Sequence, residues 1–150
     1  SMTTLNRAAA EIAGKFAGVH AMTDITGFGL MGHGREMAVG SGVTLEIETE
    51  RVPVIVGALE AIRAGAIPGG LISNREFAEC MVADADGAMI PDETRMLMYD
   101  PQTSGGLLIS VMEEQADGML GEMRAAGVNA VRVGRVVSAS EGGNAAIVLK

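Results

Sequence analysis

The chain has 150 residues, the usual size of one domain, and is long enough to bury a sizeable core. Hydrophobic residues make up 48% of it and aromatic residues only 3%, so aliphatic and methionine side chains must build that core. The formal net charge of −8 repels phosphate backbones and anionic lipids, which argues against a nucleic-acid-binding protein and against a membrane-surface protein.

The N-terminus carries Ser1 ahead of Met2, which indicates a cloning remnant and suggests a piece cut from a longer protein. The basic-then-apolar layout of a signal peptide is missing, and no run reaches the ~18 apolar residues that a membrane span needs. Apolar residues at helical spacing predict an amphipathic helix over residues 5–16, with Leu5 on its apolar face. A short buried strand is expected over residues 19–25, and a helix over residues 30–38.

Only some segments in the middle of the chain give a clear signal of secondary structure. Alternating apolar and polar residues predict a strand with one solvated face over residues 43–47. A helix is expected over residues 57–64, and the Pro-Gly-Gly stretch at residues 67–70 predicts a turn. Residues 76–83 fit either a helix or a strand. A helix that opens on a proline is expected over residues 91–98.

The C-terminal third predicts three strands and one helix. The strands fall at residues 105–111, 131–137 and 145–149, and the helix at residues 113–126. Residues 140–144 are expected to join the last two strands as a hairpin-like loop. Helices and strands are mixed through a chain without repeats or linkers. The sequence therefore predicts one α+β domain, a layered α/β sandwich with helices on a mixed, mostly antiparallel sheet.

The string Thr23-Asp-Ile-Thr-Gly-Phe-Gly-Leu-Met-Gly-His33 places a carboxylate at the end of a predicted strand, just before glycines. The carboxylate of Asp24 suits a hard cation, and glycine backbone at Gly27 and Gly29 lets a polyphosphate come close. Such a cation would also offset the repulsion between an acidic chain and phosphate. From spacing alone, a structural role is favoured, in which Asp24 caps a helix or closes a turn and the glycines supply tight geometry.

A second string, Tyr99-Asp-Pro-Gln-Thr-Ser-Gly-Gly-Leu-Leu108, joins an Asp-Pro turn signal to a double glycine that enters a strand. Consecutive backbone N–H groups there are able to cradle an anion. A plain turn is favoured, because no helix N-terminus follows. The string is not a P-loop, since no lysine follows the glycines.

Three further candidate side chains, those of His20, His33 and Cys80, are interpreted as structural. His20 and His33 lack the spacing of a metal pair, and without a cysteine cluster a zinc site has little support; His33 is expected to pack or hydrogen-bond locally on its helix. Cys80 stands beside Glu79 and apolar residues and is interpreted as a buried thiol. A single cysteine excludes an internal disulfide and indicates a reducing compartment, the cytoplasm.

The two strings, with Pro68-Gly-Gly-Leu-Ile-Ser-Asn-Arg-Glu-Phe77 between them, resemble in order and separation the C-terminal domain of selenophosphate synthetases, or selenide, water dikinases. The resemblance spans nearly the whole chain. The wider superfamily, which includes aminoimidazole ribonucleotide synthetase, shares the fold but differs in these strings. The resemblance implies that residues 2–150 form one C-terminal domain of a two-domain enzyme, with the fold of the aminoimidazole ribonucleotide synthetase C-terminal domain.

The activity that the resemblance implies is the conversion of ATP, selenide and water into selenophosphate, AMP and phosphate. In that family the N-terminal domain supplies a reactive Cys or selenocysteine, a lysine and most metal-binding aspartates, so no catalytic residue is assigned to this chain. The resemblance assigns Asp24 to Mg²⁺ shared between ATP phosphates and N-terminal aspartates. Gly27 and Gly29 are assigned to close backbone approach to the ligand, with a purely conformational role as the alternative.

The partners that the resemblance implies are the N-terminal domain of the same protein, ATP and selenide, with a homodimer for the full-length enzyme. The chain alone is expected to make no selenophosphate and to bind Mg²⁺ weakly, because a lone exposed carboxylate gives Mg²⁺ little reason to shed water. Two alternatives stay open. One is a superfamily member with another substrate, such as a purine-biosynthesis synthetase, and the other is a regulatory or interaction domain without catalysis.

Overall fold

The strands form two sheets in the computed structural model, which describes residues 3–139 and 145–150. Their bounds are β1 (Val19–Asp24), β2 (Val43–Ile47), β3 (Val82–Asp84), β4 (Leu107–Val111), β5 (Gly134–Ser138) and β6 (Ile147–Leu149). The smaller sheet pairs β1 with β4 in antiparallel register, and the larger has the order β3-β6-β2-β5. In the larger sheet β2 runs antiparallel to β5, and β6 runs parallel to both β2 and β3.

Six α-helices are layered on these sheets within the described residues. They are α1 (Arg7–Ala13), α2 (Gly29–Ser41), α3 (Ala58–Arg63), α4 (Gly69–Ala78), α5 (Asp92–Met98) and α6 (Glu113–Ala125). Helix α2 ends at Gly42, whose φ of 65° is the left-handed conformation that glycine adopts at helix ends. Helix α5 follows Pro91 and carries Asp92 and Glu93 in its first turn, where acidic groups favour the helix dipole. The predicted α+β architecture of helices on a mixed sheet is confirmed, but the strands are not mostly antiparallel, since two of the four pairings in the described residues are parallel.

Two hydrophobic clusters, rather than the single expected core, hold these layers together. The larger lies between the four-stranded sheet and helices α2, α4 and α5, and the smaller lies between α1, α6 and β4. Leu108 packs on the larger cluster, whereas Leu107 and Ile109 pack on the smaller. Because neighbouring residues of a strand point to opposite faces, β4 contributes to both clusters. The β1–β4 sheet therefore separates the two clusters.

Two predictions about connections are wrong. The strands β5 and β6 do not form a hairpin, because β2 lies between them and pairs with both. The loop expected to join them, residues 140–144, lies outside the described residues. At residues 67–70, Pro68 is the N-cap of α4 and the two glycines are its first residues, so this stretch begins a helix. The ambiguous residues 76–83 hold the end of α4, a short 3-10 turn and the start of β3.

Several predictions of exposure are also wrong. Strand β1 is not buried, since its residues alternate between half-buried and exposed. The supposedly solvated face of β2 includes Thr44, which is buried and donates its hydroxyl to the Ala145 carbonyl at 3.0 Å. Leu5, expected on the apolar face of the first helix, is 77% exposed, and the Cys80 side chain is exposed. None of the described helices is both long and apolar enough to cross a membrane.

Candidate functional site

The end of β1 and the start of β4 are joined by backbone hydrogen bonds that continue past both strands. Ile25 N–H donates to the Gly106 carbonyl at 2.9 Å, and Gly105 N–H donates to the Ile25 carbonyl at 3.0 Å. A Cβ at Gly105 would overlap the Ile25 carbonyl oxygen, so this close pairing needs glycine there. The pairing brings the Thr23–His33 string beside the Tyr99–Leu108 string.

The turn that follows β1 is fixed by the carbonyl of Thr26. This oxygen accepts the N–H of Gln102 at 2.9 Å and the N–H of Gly29 at 3.0 Å. Gly29 has φ of 67°, and a Cβ there would lie 2.8 Å from the carbonyl carbon and oxygen of Tyr99. Gly29 is therefore required for both its backbone conformation and its close packing.

The surroundings of Gly27 are different. It is exposed, its φ is not in the left-handed region, and no heavy atom lies within 4 Å of the position that a Cβ would take. Its backbone is open to solvent on that side. Of the two glycines predicted to approach a ligand, Gly27 has room for one, whereas the side of Gly29 is filled by the Tyr99 backbone.

The carboxylate of Asp24 faces solvent at the end of β1. Within residues 3–139 and 145–150 it accepts no hydrogen bond and forms no ion pair; the contact of Asp24 with Thr23 involves its backbone carbonyl. A free carboxylate is the type of oxygen ligand that Mg²⁺ prefers, so the residue fits a metal role. No group of three or more potential metal ligands exists in the part of the chain described. The site as it stands offers one carboxylate ligand.

The third string of the resemblance reaches the same place through Asn74, a residue of α4. Its side chain is buried, with 7% exposure, and its Nδ2 donates to the Gly27 carbonyl at 2.8 Å and to the Tyr99 carbonyl at 2.9 Å. The sequence assigned Asn74 no role. A usable signal was present, because asparagine is an unfavourable residue inside a helix and competes there for backbone groups.

The hydroxyl of Thr26 adds a polar contact between the turn and α2. Thr26 Oγ1 lies 3.1 Å from Nε2 of His33, and Nδ1 of His33 lies 3.7 Å from a carboxylate oxygen of Glu36. The His33 side chain is 12% exposed. The hydrogen bond of His33 is local in sequence, as predicted, but it reaches Thr26 in the turn before α2 and not a residue of its own helix.

Two titratable side chains, Tyr99 and Asp100, follow α5 where their backbone packs against Gly29. Tyr99 is fully buried and donates its hydroxyl to the carboxylate of Glu79, which also accepts from Arg95 at 3.1 Å. Burial, and then the bond to Glu79, raise the pKa of Tyr99 above its ordinary range. Burial also raises the pKa of Asp100, opposed by a hydrogen bond from the Gln102 amide at 2.8 Å.

Comparison with known proteins identifies the family of this chain. A family model described as AIR synthase related protein, C-terminal domain, matches residues 1–144. The chain is 51% identical over 116 residues to a selenide, water dikinase of Caldanaerobacter subterraneus subsp. tengcongensis, which covers 77% of the chain and 33% of the relative. It is 41% identical over 150 residues to a selenide, water dikinase of Clostridium botulinum strain Alaska E43, which covers 99% of the chain and 41% of the relative.

The fold has a counterpart among solved structures. A crystal structure of the hydrogenase maturation protein HypE in complex with ATP superposes with a TM-score of 0.57 at 22% identity, covering 97% of this chain and 36% of that one. The chain thus spans between a third and about two fifths of the length of these proteins. The resemblance to selenide, water dikinases is confirmed, and the chain belongs to the family of AIR synthase related proteins, as a C-terminal domain of that family.

Proposed function

We propose that the chain is the C-terminal domain of a selenide, water dikinase, which converts ATP, selenide and water into selenophosphate, AMP and phosphate. The observation that carries the proposal is the identity of 41–51% to proteins of that name over most of the chain. The convergence of the three matching strings on one turn supports it, because that turn is where the chain offers a free carboxylate.

In this proposal Asp24 holds a Mg²⁺ ion together with ATP phosphates and carboxylates from a second domain. Bound Mg²⁺ keeps part of its water shell and takes one or two carboxylates in addition to phosphate oxygens, so one ligand from this chain is sufficient. The ion supplies neutralisation of phosphate charge, on which phosphoryl transfer depends. The contribution of this chain is to hold the Asp24 carboxylate free and at a fixed place.

The backbone around Gly27 is the proposed place for close approach of the ligand. Its open side has room for a phosphate oxygen, and glycine offers no Cβ to obstruct it. Gly29 serves the same site indirectly in this account. It closes the turn against Tyr99, and so fixes the backbone that follows Asp24 and Gly27.

The remaining parts of the enzyme are proposed from the length of the relatives, of which the chain spans 33–41%. An N-terminal domain of the same protein would supply the nucleophile, the lysine and the other metal ligands. We place the full-length protein in the cytoplasm as a homodimer. The 150-residue chain alone would neither synthesise selenophosphate nor retain Mg²⁺ tightly.

The test is an assay of a parent protein that carries this domain together with the additional length of its relatives. With ATP, Mg²⁺ and selenide, we expect phosphorus NMR to show selenophosphate, AMP and phosphate, and no AMP without selenide. When an acyclic purine precursor is supplied in place of selenide, consumption of ATP with closure of the precursor's imidazole ring would instead indicate a purine-biosynthesis synthetase. A parent that consumes no ATP under either condition would indicate a domain without catalysis.

A further inference from the structure

The side chain of Asn74 bridges two loops that approach each other from distant parts of the sequence. One is the turn after β1, reached at the Gly27 carbonyl, and the other is the turn after α5, reached at the Tyr99 carbonyl. Both bonds use the same amide nitrogen, at 2.8 and 2.9 Å, which employs its two N–H donors. The side chain is buried, so water does not readily replace either bond.

A second contact from α4 reaches the same turn. Phe77 lies three residues after Asn74, and so on the same face of the helix, and its ring stacks on Phe28 with centroids 6.0 Å apart. The guanidinium of Arg35 lies over the Phe77 ring at 4.4 Å. Helix α4 therefore contacts two consecutive residues of the turn, one through a polar group and one through an aromatic ring.

These contacts bear on Asp24 because they add to the backbone bonds that hold the same segment at Ile25 and Thr26. Asp24 is three residues before Gly27, and its own carboxylate is unattached within the described part of the chain. The direction of that carboxylate depends on the backbone that carries it. Groups that orient a metal ligand without touching the metal typically change metal affinity or activity by about 10–100-fold when they are removed.

We propose that Asn74 is a positioning residue for the Asp24 site, with its amide fixing the Gly27 and Tyr99 carbonyls so that the Asp24 carboxylate is presented to the metal at one place. The inference rests on the proposed function for its metal. The ordering of both loops by the Asn74 side chain does not depend on that function. Asn74 gives the Pro68–Phe77 string a function that its sequence did not indicate.

The test compares the variants Asn74→Ala, Asn74→Asp and Thr49→Val in the parent protein. Asn74→Asp keeps the shape but replaces the donor with a carboxylate that faces two carbonyl oxygens. Thr49 is a matched control, since it is equally buried and donates one bond, at 3.0 Å, to the Lys150 carbonyl away from the site. The first measurement is the Mg²⁺ concentration that gives half-maximal selenide-dependent AMP formation, and the second is amide hydrogen exchange.

We expect both Asn74 variants to raise the Mg²⁺ requirement by about tenfold or more, as for other residues that orient metal ligands. We expect Thr49→Val to change it less than about twofold. Amide exchange should become faster in the peptides that contain Gly29 and Gln102, whose N–H groups bond the Thr26 carbonyl. Where an Asn74 variant does not fold, Asn74→Ser, which keeps one donor, takes its place with the same criteria.

The proposal is overturned if the Asn74 variants match Thr49→Val in Mg²⁺ requirement, or if exchange at the two loops stays as in the wild type. Absence of selenide-dependent turnover in the wild-type parent would instead reject the proposed function. Amide exchange would still decide whether Asn74 orders the two loops, so the two failures are distinguishable.

Discussion

Gly29 and Gly42 have the same backbone conformation in different surroundings. Their φ angles are 67° and 65°, both in the left-handed region that disfavours residues with a Cβ. A Cβ on Gly42 would meet no heavy atom within 4 Å, whereas one on Gly29 would meet the Tyr99 carbonyl at 2.8 Å. Comparing the two glycines therefore separates the free-energy cost of the left-handed conformation from the cost of packing a Cβ against the Tyr99 carbonyl.

We expect Gly42→Ala to lower the free energy of unfolding by roughly 1–2 kcal/mol, the cost of a left-handed conformation for a residue with a Cβ. Gly29→Ala should cost more, because the Tyr99 carbonyl must also move. Urea unfolding of both variants measures the difference. Equal losses in the two variants would show that the turn has room for a side chain at Gly29.

The sequence was sufficient to identify Asp24 as a candidate, because its string combines an acid with glycines and resembles a known family. It was insufficient for Asn74 and for the packing of Gly29. Both depend on Tyr99, which is 25 residues from Asn74 and 70 from Gly29 along the chain. An asparagine inside a helix is a local signal of a special role, but the partners that Asn74 and Gly29 contact follow from tertiary structure and are not encoded by any local pattern.

At the scale of elements, the segment between α5 and β4 carries a carboxyl group in an unfavourable place. Asp100 is half-buried, and burial raises its pKa above the ordinary value of about 3.9. The folded chain therefore holds this proton more tightly than the unfolded chain does. The stabilisation from this group is complete below the unfolded pKa and is lost as the pH rises through the raised pKa.

We expect Asp100→Asn to increase the free energy of unfolding at pH 7, because the variant avoids a half-buried charge and keeps an oxygen for the Gln102 amide. The advantage should shrink as the pH is lowered toward 4. Urea unfolding at several pH values measures it, with Asp117→Asn on the exposed face of α6 as the control. An Asp100→Asn chain that is less stable than the wild type at pH 7 would contradict this account.

Hydrophobic periodicity predicted most helices and strands to within a few residues. It did not predict which strand residues are buried or which strands pair. Residues 43–47 form a strand as predicted, but Thr44 is buried, and its hydroxyl donates to the Ala145 carbonyl beside β6. The pairing of β6 with β2 and β3 could not be read from the sequence, since strand order depends on partners far along the chain. Helix α4 was not predicted, because Pro-Gly-Gly is typical of turns, whereas here Pro68 occupies the N-cap position and the two glycines are the first residues of the helix.

At the scale of the whole molecule, net charge and the site must be considered together. A chain with a formal charge of −8 repels ATP, and one of its carboxylates, that of Asp24, stands at the proposed site. Binding of ATP there is coherent only if a divalent cation stands between the carboxylate and the phosphates. The acidic composition and the free carboxylate of Asp24 therefore agree with a metal that this chain shares with another domain and does not retain alone.

The measurement that tests this most directly is the Mg²⁺ dependence of selenide-dependent AMP formation in the parent protein with Asp24→Asn, beside Asp117→Asn. Removal of an orienting partner alone costs about 10–100-fold, so loss of the ligand should raise the Mg²⁺ requirement at least about 100-fold or abolish turnover. The thermal unfolding temperature should not change, because the Asp24 side chain is exposed. An Asp24→Asn parent with the Mg²⁺ dependence and turnover of Asp117→Asn would contradict the central claim.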